Sequence, residues 1–326
     1  MASLIAVEPN LDSTCYREEY DSAIEAEVAS YTTSLASDVT DYRFEHGRRY
    51  HAYKQGSYIL PNDEQESDRL DIMHKLIEVR FDGKLYNAPI GKNPARILDL
   101  GTGTGLWAIE MGDRFPTTEI LGNDLSPIQP RWVPPNVRFE IDDVEADWTY
   151  TSKFDYIHCR CMGNAIRDWP TLFRQVHDHT KPGGYAEFVD LDLEWTSPDN
   201  SLLGTIAHKA NTAGLAAYRA HGIEPSPGPH LASWMKAAGF EDIHAERLAM
   251  PVGTWPLDKK LKEVGAWNYL QMMEGLEAFH QALFTRWLGY EIAEVRAMVE
   301  AIRREFRNPG VHCLYYLHYA YGRKSN

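Results

Sequence analysis

The chain has 326 residues, 44% of them hydrophobic and 25% charged, the balance of a globular protein long enough for one large, elaborated domain. Its formal net charge of -14, without any Lys/Arg-rich block, argues against nucleic acid as a partner. No stretch approaches the length of a membrane span, and four scattered cysteines (Cys15, Cys159, Cys161, Cys313) with no secretory pattern at the N-terminus point to a reducing compartment, the cytoplasm.

In chain order, residues 1–40 are polar and mixed and read as a loosely held arm. Residues 42–58 are aromatic and basic, with Tyr42, Phe44, His46, Arg48, Arg49, Tyr50, His51, Tyr53 and Tyr58. Such a cluster either packs the next helix or closes over a ligand as a lid, since tyrosine hydroxyls and arginines grip carboxylates. Residues 64–81 carry Leu70, Met73, Leu76 and Ile77 at helical spacing, with Asn62 or Asp63 as the N-cap. After a linker over 83–94, strands are expected at 96–100, 118–121, 137–141, 154–159 and 185–189, with helices at 106–114 and 168–179. Beyond them lie a helix over 202–220, a Pro/Gly break over 222–229, a short helix over 230–238 and a sixth strand over 243–250. Helices over 257–288 and 291–306 then precede a final strand over 311–321. The division expected is an arm and helical lid (1–82), an α/β core (83–256), a helical cap (257–310) and a last core strand (311–326).

The stretch from Arg96 to Trp107, RILDLGTGTGLW, reads as strand, tight turn and helix start. Gly101, Gly103 and Gly105 let the backbone turn sharply and approach a ligand. A dinucleotide fingerprint would need glycine at position 106, where Leu106 stands, so a pyrophosphate is disfavoured against a smaller nucleoside. Asp99, which would repel pyrophosphate, can hold an ammonium group. Asp124 follows the second strand, 19 residues after Gly105, where a carboxylate accepts ribose hydroxyls; the ordinary alternative is a turn or cap aspartate. Asp143 can accept from an exocyclic amine while the Val144 N–H donates to a ring nitrogen, the pair an adenine edge asks for. Asp142 competes with it, and an acidic surface loop is the plainer alternative.

Together these motifs resemble the class I S-adenosylmethionine-dependent methyltransferases over about residues 95–189, including Phe154-Asp155 and the KPGG run at 181–184. YILPNDE at 58–64, Arg69-Leu70, IHCR at 157–160 and Asp168-Trp169 resemble the fungal group related to the LaeA regulator of secondary metabolism, over about residues 50–192. The resemblance implies a Rossmann-like α/β fold with a seven-stranded, mostly parallel sheet whose last strand runs antiparallel. It implies S-adenosyl-L-methionine as cofactor, with Gly101, Gly103 and Gly105 at its methionine and ribose, Asp99 at its amino group, Asp124 at the ribose and Asp143 with Val144 at the adenine. Thr102, Leu125, Arg160 and Tyr58 complete the expected cofactor set.

A sulfonium makes its methyl electrophilic, so the protein has mainly to align a nucleophile and exclude water, and a base is optional. Asp190 and His158 are the candidate catalytic groups; the alternatives are a solvated loop acid and a buried packing histidine. The expected substrate set is Tyr50, Met162, His208, Trp267 and His312. A metal reading of His158-Cys159-Arg160-Cys161 is discounted, since the spacing matches no zinc pattern. The expected function is methylation of O, N or S on a small aromatic or hydrophobic metabolite. The alternatives are a regulatory or scaffold protein with a protein partner, with the nucleus then a possible location, or a non-methylating enzyme using the same cofactor site.

Overall fold

The computed structural model describes residues 42–51 and 59–326, so the expected arm and Tyr53 and Tyr58 lie outside the described residues. A hairpin comes first, β1 (Arg43–Glu45) and β2 (Arg48–Tyr50). His46 and Gly47 make its turn with φ of 50° and 88°, the left-handed pair that a two-residue hairpin turn demands. Helix α1 (Glu64–Arg80) follows, and of the two expected caps it uses Asp63, which accepts from the Glu66 N–H at 3.0 Å.

The core is β3 (Arg96–Leu100), α2 (Leu106–Arg114), β4 (Glu119–Asp124), β5 (Val137–Ile141), β6 (Phe154–Arg160), α3 (Trp169–His179), β7 (Thr180–Thr196), α4 (Ile206–Ala220), α5 (Leu231–Ala238) and β8 (Glu241–Pro251). Helix α6 (Lys259–Ala282), a π-helical turn (Leu283–Trp287) and α7 (Ile292–Arg307) then lead to β9 (Leu314–Arg323). Seven strands form one sheet in the order β5-β4-β3-β6-β7-β9-β8. Strands β3 to β7 pair in parallel, while β9 runs antiparallel to both its neighbours. The strand order reverses between β3 and β6, so the loops leaving those two strands open a crevice at the carboxyl edge.

Strand β7 is far longer than the expected 185–189. Its antiparallel partner extends it, with pairing from Tyr185–Arg323 to Thr196–Leu314. The KPGG run lies inside that strand as an irregularity, where the β6 register jumps from Thr180 to Tyr185. The long helix expected over 257–288 ends at Ala282 and widens into the π turn.

Both sheet faces are apolar. Ile97, Ile120 and Tyr156 pack with Trp107 and Met111 of α2, while Leu98, Ile157 and Phe188 pack with Phe173, Val176 and Met235 of α3 and α5. A third cluster joins Met73, Leu76 and Ile77 of α1 to Met272 and Leu276 of α6, Val295 and Ile302 of α7, and Tyr315 and Leu317 of β9. Each buried side chain of this size is worth ~1.5–3 kcal/mol, so this cluster rather than helix propensity holds the helices to the sheet. Buried Asn268 locks α6 in place: its amide donates to the Met250 and Pro251 carbonyls at 3.1 and 2.8 Å, and its oxygen accepts from the Tyr315 hydroxyl at 2.6 Å. Among the described residues no helix is long and apolar enough to cross a membrane.

Candidate functional site

The turn after β3 holds Gly101, Gly103 and Gly105 at φ of 63°, 58° and 79°, a conformation that β-carbon-bearing residues resist. A Cβ at Gly101 would lie 2.1 Å from Met162 Sδ, and one at Gly105 would lie 2.4 Å from the Phe139 ring. The first glycine thus keeps space beside Met162, and the third lets α2 start against β5. Neighbouring strands hold the turn: Thr102 N–H donates to the Asn123 carbonyl at 2.8 Å and Gly103 N–H to Asp124 Oδ2 at 2.8 Å.

This turn forms one wall of a cleft with about 1230 Å³ of empty space, its open mouth included. Asp124, Leu125 and Ser126 line a second side, residues 142–145 a third, and Arg160 with Met162 a fourth. His51, Asn62, Glu66, Leu70 and His74, from the hairpin and α1, line the rest. Gly101, Thr102, Gly103, Asp124, Leu125, Asp143, Val144, Arg160 and Met162 are therefore brought together, while Gly105 packs behind the turn.

The polar groups of the cleft are held by backbone and side-chain partners. Asp124 Oδ1 accepts from Ser126 N–H at 2.9 Å; burial pushes its carboxyl up to about 6, against the pull of the backbone N–H groups of Ser126, Gly103 and Leu125. Asp142 Oδ1 accepts from Asp143 N–H at 2.8 Å, and Asp143 Oδ1 from Glu145 N–H at 2.9 Å, while Trp148 Nε1 donates to the Val144 carbonyl at 2.9 Å. Arg160 donates to His74 Nδ1 at 3.0 Å, and His74 Nε2 lies 3.1 Å from Glu110 Oε2. Burial and the Arg160 guanidinium push His74 down to about 3, so its ring is neutral, accepting at Nδ1 and donating from Nε2. Residues 86 positions apart make this contact, and nothing in the local pattern of α1 announces it.

Other expected residues lie elsewhere. Asp99 is buried, accepting from Thr102 Oγ1 at 2.6 Å and bonded to His158 Nδ1 at 2.7 Å; His158 in turn stacks on Trp107 with ring centroids 3.8 Å apart. Neither Asp99 nor His158 lines the cleft. Asp190 is turned to the chain after β6, accepting from Met162 N–H at 2.8 Å and Leu191 N–H at 2.7 Å, and burial raises its carboxyl to about 7. Tyr50 is buried under Arg286, 4.5 Å from its ring, and Trp267 packs on the helical cluster. His208 sits in the first turn of α4, and His312 is tied to Asp199 at 2.7 Å. None of these five lines the cleft or the cavity beside it.

That second cavity has about 930 Å³ of empty space and is lined mainly by apolar and aromatic groups, among them Trp195, Leu215, Met272, Phe279, Phe284 and Tyr315. It shares Leu70, Met73 and Cys161 with the cleft. Cys161 holds φ at 58° and donates its N–H to the Val189 carbonyl at 2.9 Å, a strained non-glycine at the junction of the two spaces. Met272 and Phe279 of α6 reach this second cavity because α6 packs on α1.

A donor-rich cationic nucleoside fits the first cleft. Five carboxylates (Glu66, Asp124, Asp142, Asp143, Glu145) line it against one guanidinium, Arg160, and they suit ribose hydroxyls, amine hydrogens and a sulfonium charge. Among the described residues no group of three or more His, Cys, Asp or Glu side chains is placed to hold a metal ion.

Residues 72–245 match the profile of a family described as a methyltransferase domain. The chain is 42% identical over 292 residues to a protein of Aspergillus terreus named methyltransferase pytC, covering 88% of this chain and 89% of that one. It is 38% identical over 286 residues to the secondary metabolism regulator LAE1 of Cochliobolus heterostrophus, covering 84% and 92%. A phosphoethanolamine N-methyltransferase 2 of Haemonchus contortus, solved with S-adenosylhomocysteine, aligns at 16% identity with a TM-score of 0.45, over 79% of this chain and 52% of that one. The chain belongs to the S-adenosylmethionine-dependent methyltransferases, enzymes whose methyl donor is S-adenosyl-L-methionine.

Proposed function

We propose that the acid-lined cleft binds S-adenosyl-L-methionine and that the adjoining cavity presents a small aromatic or hydrophobic molecule whose O, N or S takes the methyl group. The observation that carries this reading is the contact of the two spaces: a polar cleft suited to the donor opens beside an apolar cavity at Leu70, Met73 and Cys161. Bound there, the cofactor supplies an electrophilic methyl. Asp124 accepts the ribose hydroxyls, Asp143 and the Val144 N–H take the adenine edge, and Arg160, steadied by neutral His74, meets the methionine carboxylate. Asp99 positions the glycine turn through Thr102, and Asp190 positions the junction through Met162. The apolar walls exclude water from the transfer. In this reading residues 42–51 and 59–82 roof the cofactor, 83–256 form its core, 257–310 cap the acceptor and 311–326 complete the sheet.

Calorimetric titration of the full chain with S-adenosylhomocysteine tests it. Binding is expected, and Asp124→Ala should weaken it about tenfold to a hundredfold, the loss of hydrogen bonds to a charged group. No binding to the unaltered chain overturns the reading. The similarity to LAE1 favours a second reading, in which the same cofactor site works inside a regulatory assembly in the nucleus. Incubation with labelled S-adenosylmethionine and fractionated fungal extract separates the two: label in the small-molecule fraction supports the first, label confined to protein the second.

A further inference from the structure

Arg160 is the one guanidinium on the wall of the acid-lined cleft, and it shares that cleft with five carboxylates. Its head group rides on a long, flexible stem, so an unrestrained Arg160 would pair with one of the protein's own acids instead of standing ready for a ligand. What restrains it is His74. Arg160 Nη2 donates to His74 Nδ1 at 3.0 Å, and among the described residues the guanidinium has no other hydrogen-bond partner, which leaves its remaining N–H groups for the cleft.

A neutral imidazole has one nitrogen that donates and one that accepts. Because a guanidinium only donates, His74 Nδ1 must keep its lone pair, and the ring hydrogen must sit on Nε2, which donates to Glu110 Oε2 at 3.1 Å. In the other tautomer two donors would face each other at Nδ1, and a lone pair would face a carboxylate at Nε2. Glu110 therefore fixes the tautomer that receives Arg160. Glu110 does not line the cleft, and its side chain keeps 38% of its exposure, so it touches the ligand space only through His74. The two helices involved are also tied at the glycine turn. Glu110 belongs to α2, which starts as that turn ends, while Asp71, three residues before His74 on α1, accepts from Thr104 Oγ1 of the turn at 2.7 Å. The guanidinium is thus set in place relative to the turn itself.

We propose that Glu110 is a positioning residue: by fixing the tautomer of His74 it aims Arg160 at the amino-acid carboxylate of the methyl donor, and so makes the protein prefer the intact donor to its nucleoside core. The inference rests on reading the first cleft as the methyl-donor site. Without the Glu110 carboxylate the ring exchanges between tautomers, and Arg160 is released toward the acids around it.

Calorimetric titration of the full chain with two ligands tests this: S-adenosylhomocysteine, and 5′-methylthioadenosine, which has the same adenosine and sulfur but no amino-acid portion. Glu110→Ala should weaken S-adenosylhomocysteine by about fivefold to tenfold, the worth of a hydrogen bond to a charged group, and leave 5′-methylthioadenosine within about twofold. A variant that merely distorted the cleft would weaken both alike. In a chain that already carries Arg160→Ala, adding Glu110→Ala should cost S-adenosylhomocysteine nothing more, because the two residues act as one unit. The unaltered chain gives a second readout that needs no variant at position 110: nitrogen-15 shifts of the His74 ring, assigned by their loss in His74→Gln, should show a single neutral tautomer with the hydrogen on Nε2. Equal weakening of both ligands in a folded Glu110→Ala chain, unchanged S-adenosylhomocysteine affinity there, losses that add in the double variant, or a His74 ring with its hydrogen on Nδ1 overturns the proposal. If the unaltered chain binds neither ligand, the donor-site reading has failed and this inference with it; if it binds both and only the Glu110 and His74 results fail, the donor site stands and this inference alone falls.

Discussion

At Asp124 the carboxyl sits half-buried, with one N–H donor on each oxygen, and burial lifts it from its ordinary 3.8 to about 6. The folded chain thus keeps a proton there that the unfolded chain has already lost. This group's contribution to stability therefore falls as pH rises from about 4 through 6. Ligand binding has the opposite sign, because the ionised carboxylate is the better acceptor for ribose hydroxyls. Affinity for S-adenosylhomocysteine should rise by up to about tenfold from pH 5 to 7, and Asp124→Asn should flatten the rise in calorimetric titrations. A flat profile in the unaltered chain would show that this carboxylate does not meet the ribose. The same scale marks where residue-by-residue reading stops. Asp99 and Asp190 read in the sequence as acids beside the ends of the expected strands 96–100 and 185–189, but an acid can face a ligand or a backbone N–H. The choice is made by His158, Thr102 and Met162, which pack against them from elsewhere in the chain or the sheet.

At the scale of elements, the first turn of α1 joins three pieces. Asp63 caps the helix and also accepts from Arg48 of the hairpin at 2.6 and 2.8 Å, while Glu45 of the same hairpin meets Arg286 of the π turn at 2.7 Å. Asp63→Ala removes both the cap and the ion pair. It should lower unfolding stability in denaturant by about 1–2 kcal/mol for the cap alone, and raise amide exchange across residues 43–50. Unchanged exchange there would mean the hairpin is held by Glu45 and Arg286 without Asp63. Element types were largely readable because periodicity and caps are local: 106–114 and 137–141 agree with α2 and β5 at both ends. The misjudged boundaries are those set by partners. Strand β7 runs to 17 residues because β9 offers hydrogen bonds along its length, and no local signal in 190–196 states that β9 is there.

For the whole molecule, the acid-lined cleft is built by segments far apart in sequence, with α1 and the hairpin on one side and the loops after β3, β4, β5 and β6 on the other. A ligand gripped this way should stabilise the whole unit. At a hundred times its dissociation constant, S-adenosylhomocysteine should add about 2.7 kcal/mol to unfolding stability. Exchange protection should appear in α1 as well as in the glycine turn; protection limited to the turn would mean that α1 does not close on the ligand. What the amino-acid order determined by itself is the glycine turn, the acids after the second and third strands, and the α/β alternation, because backbone conformation, hydrogen-bonding type and apolar period are properties of short stretches. The tertiary structure alone decided that Asp99 serves Thr102 and His158, that His74 steadies Arg160, and that an apolar cavity opens beside the cleft. Those outcomes depend on which helix packs across which strand, and that is set by the burial of apolar surface summed over the entire chain.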